Sequence, residues 1–535
     1  MSLFFTSTRS SAVRKTIAEA IASGMPEDGG LYVPSEIPPL PREVMEEPGL
    51  SYAELAFLVL RPWFHDWSDQ ELCPLIENAY RTAEPEPNFF VPDVVPMRKV
   101  QLSPDSGKEA PCAFILELFH GRTCAFKDLA LSLMGGLLSK SLEKCGVEEP
   151  VLVLAATSGD TGSAALAGLG GQSGIKIAVI YPAEGTSEIQ RLQMTSVPRE
   201  GRLVLGLEGN FDDAQRAVKR IFQESGDPSS AFYGLRLSSA NSINIGRLLP
   251  QIVYYVKAWR DLYLRGEDLS LPRGASRGAE SRLMDVVVPT GNFGDILAAR
   301  YAKSMGLPIR FLVCASNTNR ILSDFFQTGV YDRRRVFVKT LSPSMDILIS
   351  SNLERLLYQA FRCDAGRLSE AMREFELDGV LGLSPEEREK IADFRGGWAD
   401  DAATMSTIRS LYERTGILVD PHTAVAVHVA EQQYGLFGLF GDRARAERSG
   451  GVPLVIAATA SPFKFPAACI DALDGRVSPM PRAGGELALV ESLAKRTGAS
   501  IPPPIRALSS ARVNHARKVS ISELAGEILD FARRD

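Results

Sequence analysis

Short apolar runs rich in β-branched residues alternate with longer amphipathic stretches between about residues 93 and 475. The clearest runs are VLVLAATS (151–158), IKIAVIYP (175–182), MDVVVPTG (284–291), IRFLVCAS (309–316) and VPLVIAATA (452–460). Strands that are apolar on both faces are typical of parallel sheets covered by helices on each side. The pattern therefore predicts an α/β fold.

The segments on either side of this region differ in character. Residues 1–92 combine Pro-rich turns with the helical stretch YAELAFLVLRPWF, and we expect an N-terminal domain there. We expect residues 93–475 to form an α/β region of two interleaved subdomains and residues 476–535 to form a C-terminal tail that packs on it. In the tail, VSISELAGEILDFARRD places Ser-x-x-Glu before an apolar repeat, which predicts a capped final helix. Residues 265–282 and 441–451 are charged and Gly-rich and are predicted to be surface insertions.

The overall composition excludes several classes of protein. The chain carries 59 Lys and Arg against 65 Asp and Glu, a net charge of −6, which disfavours nucleic-acid binding. Its five histidines show no metal-ligand spacing, and its seven cysteines include no C-x-x-C pair, so neither a metal site nor a disulfide framework is expected. No apolar run approaches the length of a membrane span, and the basic opening MSLFFTSTRSSAVRK lacks the apolar core of a secretory signal. We expect a mature cytoplasmic protein that acts on small molecules.

Two Gly-rich turns follow predicted strands and precede predicted helices: SGDTGSAA (158–165) and PTGNFGDILAA (289–299). Successive backbone N–H groups at the start of a helix form an anion site, so either turn could bind phosphate. An ordinary strand-to-helix loop is the alternative. Neither turn has the dinucleotide or P-loop pattern, which disfavours NAD and ATP.

Lys127 lies in apolar surroundings within ELFHGRTCAFKD (117–128), at the predicted start of a helix. Burial disfavours the charged form of an amine, and a neutral lysine can condense with an aldehyde. The alternative is a lysine whose stem covers apolar surface while its amine reaches solvent.

Taken together, these motifs resemble the threonine synthase family, in its longer form with an N-terminal domain. The resemblance rests on the two turns, ELFHGRTCAFKD, NSINIGR (241–247), PSMDILISSNLERLL (343–357), DPHTAVA (420–426) and ATASPFKFP (458–466), in order from about residue 4 to 470. It implies a pyridoxal-phosphate enzyme of fold type II, the tryptophan-synthase β type, with large and small parallel-sheet domains. The implied reaction, the last step of threonine biosynthesis, converts O-phospho-L-homoserine and water to L-threonine and phosphate by β,γ-elimination and water addition. A monomer is expected.

The resemblance also implies roles for individual residues. Lys127 would hold the cofactor as a Schiff base and then move protons. Thr459 would bind the pyridine nitrogen and Asp160 would lie near the phenolic oxygen. The cofactor phosphate would be bound by the N–H groups of Gly291, Asn292, Phe293, Gly294 and Asp295. The substrate carboxylate would be bound by Ser158 and Thr161, and the substrate phosphate by Asn241, Ser242 and Arg247, with arginine making a forked contact.

Three residues depart from the family pattern: Arg122, Cys124 and Ser461. Arg122 is predicted to face solvent and Cys124 to be a small buried side chain. His120 and His422 are interpreted as structural.

Two rival functions remain open. One is another enzyme of the same fold type, a dehydratase or a phospholyase that releases a 2-oxo acid. The other is a catalytically silent binding protein that kept the phosphate-binding turns.

Overall fold

The computed structural model describes residues 3–83, 87–100, 113–157, 159–184, 186–264, 282–435, 452–476 and 485–534. Its strands are β1 (Phe5–Ser7), β2 (Tyr32–Pro34), β3 (Met97–Val100), β4 (Ala113–Glu117), β5 (Val151–Ala156), β6 (Ile175–Pro182), β7 (Arg202–Leu207), β8 (Leu237–Ser239), β9 (Met284–Pro289), β10 (Ile309–Ser316), β11 (Val330–Asp332), β12 (Val380–Gly382), β13 (Phe394–Trp398), β14 (Leu454–Ala458) and β15 (Lys518–Val519).

The helices lie between these strands and at both ends of the chain. They are α1 (Ile17–Ser23), α2 (Arg42–Glu46), α3 (Tyr52–Leu60), α4 (Asp69–Ala79), α5 (Lys127–Lys144), α6 (Asp160–Leu169), α7 (Glu188–Thr195), α8 (Phe211–Glu224), α9 (Ile245–Leu248), α10 (Ile252–Tyr263), α11 (Gly294–Ser304), α12 (Ile321–Thr328), α13 (Leu353–Ala360), α14 (Ala365–Asp378), α15 (Pro385–Glu389), α16 (Asp401–Thr415), α17 (Pro421–Tyr434), α18 (Pro466–Leu473), α19 (Glu486–Thr497), α20 (Pro503–Arg506) and α21 (Ile521–Arg533). Within the described ranges, no helix is both long and apolar enough to cross a bilayer.

Two sheets form the centre of the molecule, and they confirm the predicted α/β fold. The larger sheet has the order β13-β10-β9-β14-β4-β3, and all its strands are parallel except the edge strand β3. The smaller sheet, β15-β7-β6-β5-β8, is entirely parallel. β5, β9 and β14 are buried along their whole length, as their continuous apolar sequences predict.

The N-terminal region packs against the α/β region through a common apolar core. Buried side chains of α3, such as Leu55 and Val59, belong to the same hydrophobic cluster as Met134 of α5. Trp63 stacks on Tyr301 of α11, with ring centroids 6.0 Å apart. The sequence predicts an N-terminal domain in residues 1–92. In the structure, part of the apolar surface of this region is buried within the region itself and part against α5 and α11.

The C-terminal region extends the smaller sheet. β15 pairs in parallel with β7, and Leu524 and Ile528 of α21 are buried in the cluster that covers this sheet. Ser520 and Glu523 form the predicted capping box at the start of α21. The edge strand β15 is too short to be visible in the sequence pattern. Both predicted insertions lie outside the described residues, apart from Arg282.

Candidate active site

The loops that follow β4, β14 and β9 in the larger sheet, and β5 and β8 in the smaller sheet, carry the residues predicted to form a site. Open α/β sheets bind ligands at the carboxyl ends of their parallel strands. The loop after β4 leads to Lys127, the first residue of α5. The loops after β5 and β9 are the two Gly-rich turns, and each ends at a helix N-terminus.

The loop before Lys127 is held by the loop after β14. Phe126 N donates to the Thr459 carbonyl at 2.8 Å, and Ser461 N donates to the Cys124 carbonyl at 3.0 Å. Cys124 is fully buried, as predicted, and adopts a left-handed φ of 57°. A non-glycine residue in that conformation is uncommon and persists only where its surroundings impose it. The bonds to β14 therefore fix the position from which Lys127 projects.

Asp128 holds the same loop from the helix side. Its carboxylate accepts from Thr123 N at 2.8 Å and from Thr123 Oγ1 at 2.7 Å. A Cβ at Gly121 would lie 2.5 Å from the Asp128 Cβ, so glycine is required for this close approach. The start of α5 is thus fixed on both sides of Lys127.

The Lys127 amine lies in an environment that favours its neutral form. Burial, together with the positive charges of Arg247 and Lys464, lowers the pKa of Lys127 to about 8, although the carboxylates of Asp160 and Asp128 act in the opposite direction. An amine with a pKa near neutral is a competent nucleophile and proton carrier. Lys127 as a whole is partly exposed, and the lowered pKa agrees with the predicted desolvation of its amine.

Asp160 begins α6 and is a buried carboxylate with three side-chain partners. Lys464 Nζ and Gln190 Nε2 each lie 2.8 Å from its Oδ1, and Ser344 Oγ lies 3.3 Å from its Oδ2. Burial alone would raise the pKa of Asp160, but Lys464 and Lys127 hold it well below its usual range. The contact of Asp160 with a cofactor oxygen stays a prediction.

In the SGDTG turn, one side chain accepts hydrogen bonds from two backbone N–H groups, and two other N–H groups have no partner among the described residues. Thr157 Oγ1 accepts from Gly159 N at 2.9 Å and from Gly162 N at 3.0 Å. The N–H groups of Asp160 and Thr161 donate to no atom of the described residues. The start of α6 therefore offers donors to an anion, as proposed for the substrate carboxylate. Ser158, predicted to share this role, lies outside the described residues.

The turn after β9 presents a row of backbone donors. The N–H groups from Gly291 to Asp295 donate to no partner within the described ranges. Phe293 adopts a left-handed φ of 68°, and a Cβ at Gly291 would lie 2.5 Å from the Ser344 carbonyl oxygen. With the positive end of α11 behind them, these donors fit a phosphate group.

The carbonyl groups of this turn are bonded on its other side. Ser350 Oγ donates to the Gly291 carbonyl at 2.9 Å, and Asn352 donates to the Asn292 carbonyl from both its backbone N and its Nδ2, at 3.1 Å each. The carbonyl groups of Gly291 and Asn292 therefore have partners within the protein, whereas the N–H groups of the turn bond to no described residue and can bind a ligand.

The side chain of Asp295 lies behind the turn. Tyr255 OH donates to its Oδ1 at 2.5 Å, while its Oδ2 is buried without a described hydrogen-bond partner. Burial raises the pKa of Asp295 to about 7. From the sequence, only the backbone N–H of Asp295 is predicted to have a role, as a donor to the cofactor phosphate. The raised pKa of its carboxyl group could not be predicted from the sequence.

Arg247 lies in α9, which follows β8, and its guanidinium is incompletely satisfied. Only 3% of the residue is exposed, Nη1 donates to the Ala240 carbonyl at 2.5 Å, and Nε is buried with no hydrogen-bond partner among the described residues. Burial lowers its pKa to about 10, so it remains a cation at neutral pH. A buried cation with an unused donor fits an anionic ligand.

The other predicted phosphate ligands lie in the loop before α9. Ser242 Oγ accepts from Asn352 Nδ2 at 3.2 Å, which links this loop to the turn after β9. Asn241 is partly exposed, and its backbone N donates to Ser239 Oγ at 3.2 Å. Thr459, the predicted pyridine ligand, is 5% exposed at the end of β14. Their ligand contacts stay predictions.

Ser344 joins several parts of the site and is not identified from the sequence. It contacts Asp160 through Oγ and Gly291 through its carbonyl, and its N–H donates to His422 Nε2 at 3.2 Å. His422 Nδ1 lies 2.6 Å from Asp420 Oδ2. These contacts give His422 a structural role. The signal in the sequence is that Ser344 belongs to PSMDILISSNLERLL, one of the motifs that carry the family resemblance.

Lys464 is the other important side chain that sequence reasoning leaves without a role. It is fully buried and belongs to ATASPFKFP, where a lysine between two phenylalanines marks burial. Arg122, by contrast, is exposed as predicted.

Comparison with known proteins agrees with this geometry. Residues 4–80 match the family model described as threonine synthase N terminus, and residues 96–445 match that of pyridoxal-phosphate dependent enzymes. The threonine synthase of Pseudomonas aeruginosa is 37% identical over 486 residues, covering 89% of this chain and 92% of that protein. Threonine synthase-like 1 of Homo sapiens is 39% identical over 473 residues, covering 86% of this chain, which spans only 58% of that relative's length. The crystal structure of pyridoxal-phosphate-bound threonine synthase from Brucella melitensis has a TM-score of 0.81 at 33% identity, covering 100% of both chains.

Proposed function

The chain belongs to the threonine synthase family, and on that premise we propose that it converts O-phospho-L-homoserine and water to L-threonine and phosphate, with pyridoxal 5′-phosphate as cofactor. The proposal rests on three features at the carboxyl ends of the parallel strands of the two sheets. They are a lysine with a lowered pKa, a row of N–H donors that bond to no described residue, and a buried arginine. A fold-type II enzyme acting on a phosphorylated amino acid needs all three.

The residues present fit the cofactor. The N–H groups of residues 291–295 would bind its phosphate, Lys127 would bind its aldehyde carbon, and Thr459 would face its pyridine nitrogen. When bound, pyridoxal phosphate supplies an aldehyde that condenses with amines and a ring that withdraws electrons from the substrate α-carbon. Thr459 is uncharged, so it would not add a negative charge beside the pyridine nitrogen.

Lys127 is the group that moves protons. Its lowered pKa of about 8 leaves a useful fraction of neutral amine to take the proton from the substrate α-carbon, and the resulting ammonium returns it. The N–H groups of Asp160 and Thr161 would orient the substrate carboxylate. Arg247 would bind the substrate phosphate and stabilise its negative charge as the Cγ–O bond breaks, while a proton is lost from Cβ and a Cβ–Cγ double bond forms.

Product identity tests this proposal. Purified protein supplied with cofactor and O-phosphohomoserine is expected to release threonine and phosphate in equal amounts, and Lys127→Ala is expected to abolish both the turnover and the visible absorption band of the bound cofactor. Release of mainly 2-oxobutanoate would assign the chain to the phospholyases. Absence of turnover together with absence of the visible band would favour the silent binding protein.

The proposal extends to a cytoplasmic monomer. The described cysteines Cys73, Cys124, Cys145, Cys314, Cys363 and Cys469 carry free thiols, which suits a reducing compartment. Light scattering of the purified protein checks the monomer.

A further inference from the structure

A second lysine lies inside the site, and the proposed reaction assigns it no role. Lys464 ends the short turn Pro462–Lys464 that follows β14, and its side chain is fully buried. Its Nζ donates to the Thr123 carbonyl at 2.7 Å and lies 2.8 Å from Asp160 Oδ1. Burial of an unpaired charge is strongly unfavourable, so this lysine and this carboxylate stabilise each other as an ion pair.

Charged groups on four elements surround the Lys127 amine. Asp128 follows it on α5, Asp160 begins α6, Arg247 lies on α9, and Lys464 lies on the turn after β14. The two carboxylates favour the charged form of Lys127, whereas Arg247 and Lys464 oppose it. Asp160 has the larger effect of the two carboxylates, and it is the one that Lys464 contacts.

One buried carboxylate is therefore shared between two lysines. Within the described part of the chain, the ion pair of Asp160 is with Lys464, and Gln190 donates to the same oxygen. An amine that attacks an aldehyde must be neutral. A carboxylate whose nearest counter-ion was Lys127 would hold that amine as an unreactive ammonium.

We propose that Lys464 is a positioning residue that occupies Asp160 as its counter-ion and thereby leaves Lys127 as a neutral nucleophile. The inference rests on the proposed function only in taking Lys127 as the reactive amine. Lys464 touches neither the reacting carbon nor the reacting amine in this account. It acts through Asp160. Its Nζ contacts both the Asp160 carboxylate on α6 and the Thr123 carbonyl in the loop before α5, and so holds the two elements together.

The test measures the protonation of Lys127 directly. The full-length chain, freed of cofactor, is labelled with trace acetic anhydride from neutral to alkaline pH, and mass spectrometry of the Lys127 peptide gives the midpoint at which the amine becomes reactive. In Lys464→Met the midpoint is expected to rise by about one pH unit or more, because Lys127 becomes the counter-ion of Asp160. This corresponds to roughly tenfold slower labelling at neutral pH.

Two variants separate a charge effect from a general disturbance. Lys464→Arg keeps the charge and is expected to restore the midpoint to near its original value. Lys257→Met is the matched control, because Lys257 is also buried and paired, with Asp93 at 2.8 Å and Asp261 at 2.5 Å, but does not act on Lys127. Its midpoint for Lys127 is expected to be unchanged.

A double variant decides the matter if Lys464→Met does not fold. Asp160→Asn combined with Lys464→Met removes both members of the ion pair and leaves no unpaired charge, so the Lys127 midpoint is expected to stay near that of the original chain, because the pair that is removed was already neutralised. An unchanged midpoint in Lys464→Met, or a double variant whose Lys127 midpoint falls by about one pH unit or more because Lys127 has lost its own counter-ion, would overturn the proposal. The labelling requires no turnover, so failure of the product assay would leave this result standing on its own.

Discussion

Arg247 is a buried cation whose Nε has no described hydrogen-bond partner. If it binds the substrate phosphate, Arg247→Ala is expected to raise KM for O-phosphohomoserine roughly 10- to 100-fold, the usual cost of a lost charge-assisted bond. Cofactor affinity, measured by fluorescence titration, is expected to change less than about threefold, since the turn after β9 is intact.

Two variants serve as controls for Arg247. Arg247→Lys keeps the charge but loses the forked geometry, so an intermediate KM is expected. Arg122→Ala removes an exposed cation from ELFHGRTCAFKD (117–128) and is expected to leave the KM for O-phosphohomoserine unchanged. Equal losses of substrate and cofactor binding in Arg247→Ala would place Arg247 outside the substrate site.

Asp295 should make the stability of the cofactor-free chain depend on pH. Burial raises its pKa from 3.8 to about 7, so the folded chain holds a proton that the unfolded chain releases in this interval. The free energy of unfolding therefore falls as the pH rises from about 4 to about 7, by up to a few kcal/mol. Asp295→Asn cannot ionise and is expected to lose this part of the decline.

Thermal unfolding at several pH values checks the effect of Asp295. The thermal midpoint of Asp295→Asn minus that of the original chain is expected to grow as the pH rises from about 4 to about 7. Above about pH 8 this difference is expected to be constant. A constant difference at every pH would show that Asp295 does not titrate as the structure implies. Tyr255→Phe, which removes the hydroxyl that stabilises the charged carboxylate, is expected to enlarge the original decline.

Helices α5 and α6 begin at Lys127 and Asp160, respectively. The two helices pack closely against each other at Gly135 of α5 and Gly168 of α6. A Cβ at Gly135 would lie 2.2 Å from the Gly168 carbonyl oxygen, which is backbone and cannot move aside cheaply. Gly135→Ala is therefore expected to destabilise the protein by about 1–3 kcal/mol despite alanine's better helix propensity. The thermal midpoint and cofactor affinity should both fall.

Gly136 offers the matched control for this helix crossing. It is the next residue of α5, but its Cβ would meet only the end of the Leu75 side chain, at 3.0 Å. Gly136→Ala is expected to be neutral or slightly stabilising. If both alanine variants behave alike, the α5–α6 contact does not determine the position of the site.

The two Gly-rich turns are the elements that could best be predicted from the sequence. Both follow continuous apolar strands and both begin helices, because local turn chemistry and strand pattern point to the same structure. The left-handed φ of Phe293 and Cys124 could not be predicted, since contacts with residues far along the chain impose it. The same holds for Ser344 and Lys464, whose partners come from other elements.

At the level of the whole molecule, the sequence predicts the order of the regions better than their association. Continuous apolar strands and helical repeats are local signals, so the α/β region is evident. The shared core between α3 and α5 and the pairing of β15 with β7 depend on long-range contacts that leave no periodic trace. The candidate site takes its residues from loops of both sheets, so it requires both sheets to be in place.

In the proposed reaction, phosphate leaves from the γ-carbon of the substrate and water adds to the β-carbon. The most direct test supplies the loaded protein with O-phosphohomoserine in water enriched in a heavy oxygen isotope and determines by mass spectrometry where the isotope enters. One heavy oxygen is expected in the hydroxyl of threonine and none in the phosphate released. Heavy oxygen in the phosphate, with homoserine as product, or 2-oxobutanoate in place of threonine, would contradict it.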